Sequence, residues 1–198
     1  DHGARLARDL DATAVYVRYN SGLHVSENGR ALAALLEGEI ARAEEITIVA
    51  HSMGGLVARS ACHYGAGTRW RRKVRTLVTL GTPHHGAPLE RAGNIVDALL
   101  ARSRYSAPLA LLGHIRSAGV TDMRYGNVVD DDWRGRDRFE RGPDRRTRIA
   151  LPDGVDCYAV AGTLSKGGDD LAALAVDGQR PVPSALGLHH DESRTLRF

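Results

Sequence analysis

The chain of 198 residues suits a single domain with enough material for a sizeable core, and its 42% hydrophobic content is ordinary for a globular protein. Its net charge of +3 comes almost wholly from arginine, with no basic stripe interleaved with aromatics, so nucleic acid is not an expected partner. No apolar run approaches the roughly 20 residues of a membrane helix, so no membrane span is expected.

Taken in chain order, the opening segment through Leu10 reads as a helix, with Leu6 and Leu10 four residues apart on one face. Ala14 to Tyr19 alternates and is rich in β-formers, which predicts a strand ended by Asn20-Ser21-Gly22. Leu32, Leu35, Leu36 and Ile40 have helical spacing and predict a helix over Ala31 to Ala43. Ile46, Ile48 and Val49 form a short apolar run suited to a buried parallel strand, and a helical pattern begins at Gly54. Val74 to Leu80 is the next expected strand, stopped by Gly81-Thr82-Pro83. Helical fragments are expected within Ile95 to Leu112, and Val128 to Arg148 reads as a solvated charged loop. A last clear strand is expected at Val155 to Ala161.

Strands alternating with helices predict an α/β fold, a mostly parallel sheet with helices on both faces. Residues 1–198 form one domain in this reading, with 87–150 inserted as a helical and charged cap. Ligands bind at the carboxyl ends of parallel strands. Three loops would therefore share a rim: Asn20 to Gly22, the turn at Ser52, and Gly81 to Gly86.

The turn at Ser52 carries the chemistry. Ala50-His51-Ser52-Met53-Gly54 is similar to the G-x-S-x-G nucleophile elbow, with alanine in place of the first glycine. A serine there must sit in a strained strand-to-helix turn, so small residues are expected where the two backbones pass, at Ala50 and Gly54. The bland alternative is a strand-to-helix turn that happens to contain serine. His51 should point away from the hydroxyl and pack beneath the turn, while His24, His63 and His114 read as surface or core histidines. Cys62 and Cys157 read as buried free thiols. The pairs His84-His85 and His189-His190 lack metal-ligand spacing, and neither metal nor cofactor is expected.

Three further segments extend the likeness: RYNSGLHVSENGRALA at Arg18 to Ala33, TLGTPHHGAPLER at Thr79 to Arg91, and AVDGQRPVPSALG at Ala175 to Gly187. With the elbow, they resemble bacterial α/β-hydrolases related to triacylglycerol lipases and glycosylphosphatidylinositol inositol-deacylases. The resemblance implies the α/β-hydrolase fold, Ser52 as nucleophile, Asp177 as the acid that orients a catalytic histidine, and Met53 as a backbone donor to the oxyanion hole. Asp169 and Asp170 are rival acids. The histidine of that family lies beyond a further strand, and its first strands precede the opening helix, so the chain reads as a fragment cut at both ends. His189, His190, His84 and His85 are the bases available within it.

The expected function is hydrolysis of a carboxylic ester, of small-molecule or lipid type, through an acyl-enzyme. An acyltransferase with the same residues and a non-catalytic binding domain lacking the base stand as alternatives. The cytoplasm is the favoured compartment.

Overall fold

The computed structural model describes residues 2–40, 42–86, 117–136, 144–162 and 181–198. Helix α1 spans His2–Asp9, α2 Val25–Leu35, α3 Met53–Tyr64, α4 Ala118–Tyr125 and α5 Pro181–Ala185. Strands β1 (Ile46–His51), β2 (Val74–Leu80) and β3 (Asp156–Val160) form a parallel sheet in the order β1-β2-β3. Ala50 is in register with Thr79, and Thr79 with Ala159, so the three strands end at one edge. The parallel sheet with packed helices is the α/β arrangement expected, while the second face of the sheet, where helices are also expected, is half exposed among the described residues.

The core lies between this sheet and α3. Ala50, Ala58 and Leu77 are buried together, with Ile48, Val155 and Cys157 packed against them. A second cluster, Val25, Met53, Leu56, Val57, Val128 and Val129, joins α2, α3 and the segment after α4. Nine of the twelve residues of α3 are buried, Arg59 and Ser60 among them. Close approach to α2 explains part of this: a Cβ at Gly29 would overlap the side chain of Ser60. Val49, Tyr158 and Val160 point to the other face of the sheet and are about half exposed.

Several local expectations change. Residues 14–19 form no strand; Val15 and Tyr16 are 60% and 64% exposed, and the chain there runs extended without a ladder. Alternation specifies a strand only where a neighbour supplies hydrogen bonds, and β1 has its described neighbour, β2, on one side alone. The second helix starts at Val25, six residues before Ala31, because two carboxylates satisfy its first amides. Glu27 Oε2 accepts from the His24 N–H at 2.8 Å, and Asp122 Oδ2 from the Val25 N–H at 2.8 Å. It then widens into a π-turn at Leu36–Ile40.

The charged stretch from Val128 is no solvated loop at its start. Val128, Val129 and Asp132 are buried, and Asp132 takes the N–H groups of Val128, Val129 and Thr147 at 2.8, 3.1 and 2.6 Å. One carboxylate closing three amides lets an acidic sequence turn inward. Cys62 is buried and Cys157 half-buried, both as free thiols. His51 is exposed rather than packed beneath the turn, because it faces away from α3 at the edge of the sheet. Among the described residues, no helix is long and apolar enough to cross a membrane.

Candidate active site

Ser52 sits where β1 ends and α3 begins, with φ 52° and ψ −126°. A non-glycine residue with positive φ is held there by its surroundings at a cost of order 1–3 kcal/mol. Two backbone bonds hold it. The Ser52 N–H donates to Leu80 O at 2.9 Å, tying the turn to the end of β2, and the Gly55 N–H donates to Ser52 O at 3.1 Å. Met53 is the first residue of α3, so its N–H has no intrahelical acceptor and lies at the positive end of the helix.

The small residues divide their work differently from expectation. At Gly54 a Cβ would meet Tyr19 Oη at 3.7 Å and Ala50 Cβ at 3.9 Å, ordinary contacts. The tight position is Gly55, where a Cβ would overlap the side chain of Thr82. The second glycine thus sets how closely α3 packs on the loop after β2.

Helix α4 closes over this turn. The Ser52 hydroxyl is directed at Met123 Sδ, 3.8 Å away, and a thioether is a weak acceptor. A Cβ at Gly119 would overlap Ser21 O, and a Cβ at Gly86 would overlap Arg124 O. So α4 touches both the 20–22 loop and the 81–86 loop, and the three rim loops meet beneath it.

Asp122 fixes α4 in place. It is fully buried, with Oδ2 also 3.0 Å from His24 Nδ1 and Oδ1 accepting from Asn127 Nδ2 at 2.9 Å. Burial raises its carboxyl above the usual range, and the bonds from Asn127, Val25 and His24 work against that rise. His24 in turn stacks on Trp133 at 3.6 Å between ring centroids.

The histidines are committed elsewhere. His84 is buried; Arg59 Nη1 donates to its Nδ1 at 3.4 Å, so Nε2 carries the proton, 3.2 Å from Thr79 Oγ1. Burial, with the Arg59 charge adding to it, pushes His84 down to about 3. His85 donates from Nε2 to Gly187 O at 2.8 Å and is pushed down to about 4, mainly by burial. His189 Nδ1 accepts from the Asp191 N–H at 3.0 Å, while Nε2 lies 3.3 Å from Asp144 Oδ2. His190 is exposed and its ring lies tilted by 33° against His189, 4.1 Å between centroids. None of these four hydrogen-bonds Ser52. Asp177, Asp169, Asp170 and His114 lie outside the described residues.

Asp144 also binds Arg146 through both oxygens, at 2.8 and 2.6 Å. Its partial burial raises the carboxyl, but the Arg146 guanidinium and then Arg194 hold it well below the usual range. Sequence reasoning missed this group, and it missed Met123, Asp122 and Arg59. For Arg59 a signal existed, since a lone cation in GLVARSAC interrupts an otherwise small and apolar helix. Met123 and Asp122 carry no local signal, because their partners lie far away in sequence.

A parallel sheet flanked by helices, with a serine at positive φ between strand and helix, is an α/β-hydrolase arrangement of the lipase and esterase type. The chain belongs to the PGAP1-like alpha/beta domain family, whose match covers residues 11–145. Among solved structures it is similar to the Bacillus licheniformis lipase BlEst2. Identity to the mature form is 26% over 64% of this chain and 47% of that one, with a TM-score of 0.45. For the propeptide form it is 28% over 64% of this chain and 26% of that one, with a TM-score of 0.44. The chain thus spans less than half the length of either lipase structure. No curated protein sequence matches it significantly.

Proposed function

We propose that the chain carries the nucleophile of a serine ester hydrolase acting on a small-molecule or lipid ester through an acyl-enzyme. The observation that carries this reading is the backbone of Ser52, at φ 52° and ψ −126° between β1 and α3. Strain of this kind persists where the surrounding structure enforces it, and here it directs a hydroxyl into a rim of three loops.

In the proposed reaction, Ser52 Oγ bonds to the acyl carbon while its proton passes to an imidazole whose tautomer Asp177 holds. The carbonyl oxygen gains negative charge, and the Met53 N–H donates to it. Losing a donor of that kind typically costs about 10²–10³ in turnover. Collapse of the tetrahedral adduct breaks the ester C–O bond, and the imidazolium returns its proton to the leaving alcohol. Water then repeats the sequence on the acyl-enzyme, giving a carboxylic acid and free Ser52.

Fluorophosphonate labelling read by intact mass tests this, with Ser52→Ala alongside. One adduct on the unchanged chain and none on the variant is the expected result. Folded protein that takes no label would favour a binding domain that keeps the fold without an activated serine. The thioether contact of the Ser52 hydroxyl is the observation on that side.

A further inference from the structure

A cavity of about 940 Å³ opens beside β3, on a wall that does not include Ser52. Arg59, His84, Arg146, Ile149, Cys157 and Phe198 are among the residues around it. Arg59 is 4% exposed, and among the described residues it forms no ion pair. Nη2 donates to Ile149 O at 2.6 Å and Nη1 to His84 Nδ1 at 3.4 Å, while Nε is buried with no partner.

A buried guanidinium without a carboxylate is costly. The Asp132 charge offsets part of this cost from a distance, but the nearby carboxylate oxygens already have other partners. Both oxygens of Asp132 accept backbone N–H groups, and Asp144 is held by Arg146. His84 cannot compensate, being a neutral ring that accepts from Arg59. The acids at the cavity's edge, Asp153, Asp156 and Glu192, are exposed. Burial, reinforced by the Arg146 charge, pushes Arg59 down to about 10, and it stays cationic at neutral pH.

We propose that this cavity is a binding site for an amphiphilic oxyanion, a carboxylate or phosphate head paired with Arg59 and an apolar body against Ile149, Val155 and Phe198. A guanidinium presents parallel donors that match either head. The volume lies in the range of small-molecule sites and far exceeds a bare inorganic ion. The site stands apart from Ser52, so its occupancy does not depend on the proposed hydrolysis.

Calorimetric titration of the full chain with octanoate and with octyl phosphate tests this, with octanol as the uncharged control. One or both anions bind, and the tighter names the head. Octanol binds at least about tenfold more weakly, Arg59→Gln loses at least about tenfold, and Ser52→Ala binds as the unchanged chain does. Octanol matching the anions, or Arg59→Gln binding unimpaired, overturns the proposal. A second readout needs no variant. Cys157 lines the cavity and is half-buried, so the bound anion slows its alkylation by iodoacetamide while octanol leaves the rate unchanged. Alkylation equally fast with and without the anion overturns the proposal as well.

Discussion

Thr82 lies against the Cα of Gly55 so closely that no side chain fits between them. The contact joins the first turn of α3 to the loop after β2, and Thr82 is fully buried. Gly55→Ala therefore destabilises the fold by about 1–3 kcal/mol through overpacking. Gly54→Ala, one residue earlier, meets only ordinary contacts and gains helix propensity, so its stability stays within about 1 kcal/mol of the unchanged chain. Urea denaturation of the two variants separates them, and equal midpoints would contradict this account.

Asp122 is the second point of attachment. It receives the Val25 N–H, the His24 ring and the Asn127 amide, and joins α4 to the start of α2 across 97 residues. Asp122→Ala leaves those donors buried without an acceptor and costs about 1–3 kcal/mol. Asp122→Asn keeps one acceptor oxygen and loses less. Helicity and midpoint measured together check this, since α2 should fray first at its N-terminal turn in the alanine variant.

The acid side of the stability profile should carry the mark of His84. Its folded value, about 3, lies below the ordinary 6.5, so the unfolded chain takes up a proton that the folded chain refuses. Stability is then fully present above pH 6.5 and is lost as pH falls toward 3. The slope from this ring is about 1.4 kcal/mol per pH unit. His85, pushed down to about 4, acts in the same direction. Denaturation midpoints between pH 7 and pH 4.5 should decline for the unchanged chain and decline less steeply for His84→Gln. Parallel profiles would remove His84 from the explanation.

Met123 stands directly over the proposed nucleophile. Shortening it in Met123→Ala opens space beside the Ser52 hydroxyl and removes its described partner. The expected outcome is a shift of about tenfold in the preference between short and long acyl p-nitrophenyl esters, in favour of the long. An unchanged ratio would mean that the acyl chain lies elsewhere.

The parts of the fold legible in the sequence are those set by local pattern. Val74 to Leu80 reads as a buried strand because its apolar run fills a parallel sheet, and Ser52 stands out because a small-residue turn joins strand to helix. The start of α2 is not legible, since one of its first amides is satisfied by Asp122, far along the chain. Ala14 to Tyr19 misleads for the converse reason: it has the strand pattern without a laddered neighbour. Asp132 sits in a run that reads as solvated, yet three amides draw it inward. The pairs around His84 and Asp144 depend on loops meeting in space, and no spacing rule reaches them.

The backbone at Ser52 carries a further consequence. A residue without a Cβ reaches positive φ with little strain, so Ser52→Gly should fold more tightly than either the unchanged chain or Ser52→Ala. Selection for thermal tolerance alone would then lead away from the hydroxyl and toward glycine at position 52. A serine in that turn marks a sequence kept for something other than its own rigidity.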